Sequence, residues 1–133
     1  MDNTQRDLAI YRMNRAVETV EIAKELYAHN HFKDAINRSY YAVFFAIRGL
    51  FALRGIDFKK HKTLLGKFNL EYIATGIFSK EIGRGLHILA QARESSDYDD
   101  FFIVSKEQCL GQIQYAEMVI KEIQKYIAEK YSI

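Results

Sequence analysis

The stretch HFKDAINRSYYAVFFAIRGLFALRG, residues 31–55, decides how the rest of the chain is read. From Tyr40 to Leu53 it is apolar almost all round, interrupted by Arg48. A helix that is apolar on every side belongs in the middle of its domain. The run falls short of the ~20 residues that a membrane-spanning helix needs. Asn30 offers a cap for this helix, and Gly55 stops it. The spacing therefore predicts a central helix over about His31 to Arg54.

Outward from this helix, three further long amphipathic stripes are legible. Before it, Ala9, Met13, Ala16, Val20, Ala23 and Tyr27 recur at steps of four and three, which predicts a helix from about Thr4 to Ala28. After it, His61 to Ile73 predicts a short helix ended by Thr75-Gly76. A third long helix is expected from Ser79, with Ile82, Leu86 and Leu89 inward, ending around Glu94. The run Ser95-Ser96-Asp97-Tyr98-Asp99-Asp100 carries turn formers and no helical period, so it is expected as loop. Ser105 with Gln108 makes a capping-box pattern for the fourth long helix, striped by Leu110, Ile113, Ile120, Ile123 and Ile127. No segment alternates as a strand would. The expected fold is all-α: an antiparallel up-and-down four-helix bundle, with an additional short helix between helices two and three.

Composition agrees with that reading. The chain has 133 residues, enough for one domain spanning 1–133, and 49% of them are hydrophobic. It contains no proline, the residue that breaks helix interiors. Its net charge of +2 is too weak to declare nucleic-acid binding and does not exclude it. A single cysteine forms no internal disulfide and no CxxC metal site. With a polar N-terminus unlike a signal peptide, this leads to the expectation of a cytoplasmic protein without membrane association.

Two features stand out as possible chemistry. On helix two, Asp34, Asn37, Arg38, Tyr41, Phe45 and Arg48 fall within an arc of about 100°. That stripe reads as an ordinary solvent face, a polar groove or a subunit interface; the aromatic rings beside arginines suit the last two. On helix three, Arg93 is the next step of the series Ile82, Leu86, Leu89. A guanidinium on a core-facing seam must be paired or must open into a polar pocket. In an antiparallel bundle the end of helix three lies beside the start of helix two. Arg93, Asp97 and Tyr98 would then face Asn37, Arg38 and Tyr41, a cluster suited to holding phosphate. These six residues are the candidate RNA- or nucleotide-binding set.

Other chemistries lack their residues. No glutamate is followed by a histidine three residues later, as a di-iron bundle requires, and the four histidines share no face with metal-ligand spacing. No metal or other cofactor is expected. The usual phosphate loops and the nucleophile elbow are absent. Cys109 reads as a small core residue.

The string Asn37-Arg38-Ser39-Tyr40-Tyr41-Ala42-Val43-Phe44, the basic His61-Lys62 after Gly55, and the ending Ala92-Arg93-Glu94-Ser95-Ser96-Asp97-Tyr98-Asp99-Asp100-Phe101 together resemble the HEPN superfamily, in particular its small single-domain prokaryotic members. The resemblance covers roughly Asp7 to Ile127. It implies a four- to five-helix bundle, a homodimer, and in many members a metal-independent ribonuclease that acts as a toxin. The implied motif is an arginine followed, after four to six residues, by a histidine. It also implies a minimal nucleotidyltransferase encoded nearby as antitoxin.

Arg93 matches the motif arginine, but its window holds Tyr98 and no histidine. Metal-free RNA cleavage needs a group that moves a proton near neutral pH, and histidine fits that task where tyrosine does so poorly. Arg93 and Tyr98 are thus the catalytic candidates, with Tyr98 expected to hydrogen-bond or to accept a modifying group. The departure favours a module that binds RNA, nucleotide or its partner protein without efficient cleavage. The alternative is a ribonuclease toxin acting through Arg93 at a dimer cleft, with Tyr98, His61 or His87 as its second group.

Overall fold

A computed structural model of the chain describes residues 2–133. The helices are α1 (Asn3–Ala28), α2 (Phe32–Ala52), α3 (His61–Phe68), α4 (Lys80–Tyr98) and α5 (Lys106–Tyr131), with a π-helical turn, Asn69–Ile73, continuing α3. Among the described residues there is no strand. The all-α bundle with a short extra helix between the second and third long ones is the architecture expected from the periodicity.

Local chemistry accounts for most helix ends. The Asp2 carboxylate accepts the Gln5 amide at 2.8 Å and starts α1. Asn30 does not cap α2 as expected. It adopts a left-handed backbone, φ 64°, and terminates α1, while His31 precedes α2 without a side-chain cap bond. Asparagine is one of the few residues that tolerate this conformation, and the sharp reversal between α1 and α2 requires it. Gly55, at φ 68°, closes α2 as anticipated.

Packing follows the stripes, with two corrections. Ala9, Met13, Ala16, Val20 and Ala23 of α1 are buried, and α2 sits centrally, touching α1, α3, α4 and α5. In α5 the capping box of Ser105 and Gln108 forms. The buried seam of α5, however, runs through Cys109, Ile113, Ala116, Ile120, Ile123 and Ile127. Leu110 lies one position off that seam and is exposed. The second correction is α4, which does not stop near Glu94 but continues to Tyr98. Asp97 pairs with Arg93 one turn earlier and accepts the Asn37 amide of α2, so partners on and off the helix hold the last turn that its turn-forming residues would release.

Two close approaches set the position of α4. A side chain at Gly85 would put its Cβ 2.2 Å from the Tyr115 ring, so only glycine lets α4 meet α5 there. The Tyr115 hydroxyl donates to the Ile82 carbonyl across the same contact. At the other side, Phe68, Tyr72 and Phe78 stack at centroid separations of 5.7–5.9 Å, locking the π-turn onto the bundle. No helix among the described residues is long and apolar enough to cross a membrane.

Candidate functional site

The buried series Ile82, Leu86 and Leu89 carries α4 inward. One step further, Arg93 enters a cleft at the end of the bundle with its side chain 22% exposed. Its Nη2 donates to the Tyr41 hydroxyl at 3.1 Å. Its Nε lies 3.0 Å from an Asp97 oxygen, an ionic contact without hydrogen-bond alignment, so that N–H is buried and unsatisfied. The guanidinium carbon stands 5.3 Å from the Tyr40 ring centroid and 5.5 Å from that of Tyr41. Burial disfavours the charge, but Tyr41, Asp97 and Tyr40 outweigh it and hold the Arg93 pKa above its ordinary value. Among the described residues Nη1 has no hydrogen-bond partner. The result is a fixed cation with one edge left for an anion.

Facing the same cleft is His61, the first residue of α3, in a lining of about 680 Å³ that also includes Arg93, Lys62, His87 and Tyr98. Its ring stacks on Phe44 at 3.9 Å between centroids, and its Nδ1 lies 3.0 Å from the Tyr40 hydroxyl. A hydroxyl can donate or accept, so this bond is compatible with either tautomer and leaves Nε2 unbound. Burial, then Arg93 and Arg48, push the His61 pKa below its ordinary value. The imidazole is therefore neutral at neutral pH and able to take a proton.

An ion cluster approaches the Phe44 ring on which His61 stacks. Asp57, in the connection between α2 and α3, accepts from Arg48 at 2.9 Å and from Arg12 at 3.2 Å. Arg12 also donates to the Arg48 carbonyl. Arg48 stands 5.8 Å from the Phe44 ring on which His61 stacks. Burial works against the Asp57 charge, but the bonds from Arg48 and the Phe58 amide, with Arg12 nearby, hold its pKa below the usual carboxylate value.

The six candidate residues meet only in part. Asn37 donates to both Asp97 oxygens at 3.2 and 3.3 Å, and Tyr41 supports Arg93 from behind. Tyr98 is not in a loop but ends α4, 76% exposed on the cleft rim. Arg38 stays exposed on the outer face of α2 and does not line the cleft. Within the α2 stripe, Asp34 and Arg38 are exposed, whereas Asn37, Tyr41 and Arg48 are engaged by side chains of the same chain. Residue reading gave little weight to His61 and missed Arg12 and Asp57. The basic run Lys59-Lys60-His61-Lys62 was the available signal for His61; nothing local marks the other two. Among the described residues no group of His, Cys, Asp and Glu could hold a metal ion. Cys109 is buried with its thiol pKa pushed up to about 11, so it is a poor nucleophile.

The fold is thus an all-α bundle whose polar end places Arg93 and His61 in one cleft. The sequence matches the HEPN domain family over residues 9–126, and the chain belongs to that family. It is 31% identical over 127 residues to a UPF0332 protein of Thermotoga maritima, covering 96% of each chain. It is also similar to two proteins of Methanocaldococcus jannaschii: "Putative toxin MJ0142", 25% identical over 89% of this chain and 80% of the relative, and "Putative toxin MJ0605", 28% identical over 86% and 84%. These relatives support a toxin-type HEPN class for the family to which the chain belongs.

Proposed function

We propose that the chain is an RNA-binding HEPN toxin module that grips a phosphodiester at Arg93. The observation that carries this reading is the guanidinium itself, fixed by Tyr41 and Asp97 with Nη1 free toward an open cleft. The test is fluorescence anisotropy with a labelled 2′-O-methyl oligoribonucleotide, which binds but resists cleavage. Arg93→Gln is expected to weaken binding at least about tenfold, the value of one charge-assisted contact, while circular dichroism stays unchanged. Equal binding by wild type and Arg93→Gln overturns it.

A second reading, RNA cleavage, is favoured by one observation: His61 supplies from α3 the proton-transfer group that the Arg93 window lacks. Neutral His61 Nε2 would take the proton of a ribose 2′-hydroxyl as that oxygen attacks the adjacent phosphorus. Arg93 would stabilise the added charge, and the 5′-oxygen would leave with a proton returned by the imidazolium. The products are a 2′,3′-cyclic phosphate and a 5′-hydroxyl. His61→Ala would then abolish cleavage of ordinary RNA while keeping Arg93-dependent binding; cleavage that survives in His61→Ala refutes this role.

The same proposal includes a homodimer and a nucleotidyltransferase partner. Tyr98, Phe101 and Ile103, 76–90% exposed near the cleft, support an apolar contact with a second copy. Light scattering at micromolar concentration is expected to read twice the 15.5 kDa of one chain; a monomer only would refute the dimer.

A further inference from the structure

The cleft at Arg93 does not end there. Asn69 and His87 line both this cleft and a second hollow between α4 and the π-turn, so the two form one groove along α4. Lys80, Arg84 and His87 recur at steps of four and three, which puts them on one side of α4. From Lys80 to Arg93 the helix rises about 20 Å. The groove is lined by four permanent cations, Lys62, Lys80, Arg84 and Arg93, against a single carboxylate, Glu94. Of these cations only Arg93 is engaged by a carboxylate; among the described residues Lys62, Lys80 and Arg84 form no ion pair. By contrast Arg54, at the neighbouring hollow, is neutralised by Glu71 at 2.8 Å.

The opposite wall carries an independent sign of the same groove. Gly66 stands in the middle of α3, where glycine costs about 1 kcal/mol against alanine. A Cβ there would meet nothing within 4 Å, so no protein neighbour requires the glycine. Gly66 lines the groove and leaves bare backbone facing Arg93 and His87. A polyanion passing between the two walls gains the space that a side chain would occupy.

We infer that the groove from Arg93 to Lys80 is a track for single-stranded RNA, in which Arg84 and Lys80 hold phosphates several nucleotides away from the one at Arg93. The inference rests on the proposed binding at Arg93 and adds to it the length and strandedness of the ligand. At about 3.4 Å per stacked nucleotide, 20 Å accommodates roughly six nucleotides. A duplex does not suit a trough between two helices, whereas a single strand can follow a cationic groove by its backbone.

The test measures anisotropy of 2′-O-methyl oligoadenylates of two, four, six, eight and ten nucleotides, with an oligoglutamate peptide as a second polyanion. In wild type, affinity should rise with length and flatten near six nucleotides. The exposed double variant Lys80→Ala/Arg84→Ala should bind the octamer about tenfold more weakly and lower its salt slope by about 1.4, as expected for two lost phosphate contacts on a single strand. Its dinucleotide affinity should be unchanged. Gly66→Gln, an uncharged side chain whose Cβ would meet nothing within 4 Å, should weaken the octamer in the same way. A length gain that survives in both variants, or oligoglutamate bound as tightly as RNA, overturns the track. The Arg93 reading fails separately: if Arg93→Gln leaves dinucleotide and octamer binding intact while the length gain still depends on Lys80 and Arg84, the track stands and the Arg93 reading falls.

Discussion

Replacing Asp57 by asparagine removes a charge while keeping the side-chain shape. The wild-type carboxylate lies 2.9 Å from Arg48 and 3.2 Å from Arg12. Arg12 is the vulnerable partner, because its side chain is only 10% exposed while that of Asp57 is 52% exposed. Leaving a fully buried ion without its counter-ion costs about 3–5 kcal/mol. A solvent-exposed pair is worth about 0–1 kcal/mol. A half-exposed carboxylate serving one nearly buried guanidinium falls between, so Asp57→Asn should lose about 2 kcal/mol. With a urea slope of about 2 kcal/mol/M, the unfolding midpoint at pH 7 should fall by about 1 M.

Acid supplies the control. The folded Asp57 carboxyl titrates below its unfolded value. Its contribution is therefore complete above the unfolded pKa of about 3.9 and lost as pH falls through the folded pKa. In urea melts carried from pH 7 to pH 2, the gap between wild type and Asp57→Asn should begin to narrow below about pH 4 and close only as pH passes below the folded pKa. An unchanged midpoint at pH 7, or a gap that persists at low pH, refutes the assignment of this charge to the ion cluster.

Further outcomes follow from the same contacts. NMR titration should place the His61 imidazole below its ordinary pKa, and Arg48→Gln should raise it by removing a repelling cation; since the folded value is depressed, this histidine's contribution to stability is present above pH ~6.5 and lost as pH falls through the folded pKa. Gly85→Ala drives a methyl into the Tyr115 ring and should cost about 1–3 kcal/mol in a urea melt. Gly66→Ala meets open space and should instead stabilise the chain by up to about 1 kcal/mol. Cys109 should resist a thiol reagent at pH 8 in the folded protein and react fully in denaturant.

The periodicity of α1, α2 and α5, the capping box at Ser105 and the stop at Gly55 are local properties, carried by residues within a turn or two of one another. That is why the sequence by itself determined an all-α bundle with a buried second helix, and why Arg93, next in the series from Ile82, was legible as a charge aimed inward. Local chemistry alone misplaced Asn30, Leu110 and the end of α4. Asn30 is equally able to cap one helix or to reverse out of the one before it. The last turn of α4 depends on an amide sixty residues away, where Asn37 reaches Asp97. His61 entered the cleft only through Phe44 and Tyr40 of another helix, and Asp57 found Arg12 across 45 positions of chain. A side chain's role in a site depends on which distant groups desolvate and charge it, and those groups are chosen when helices pack, so tertiary structure alone decided that His61 shares a cleft with Arg93.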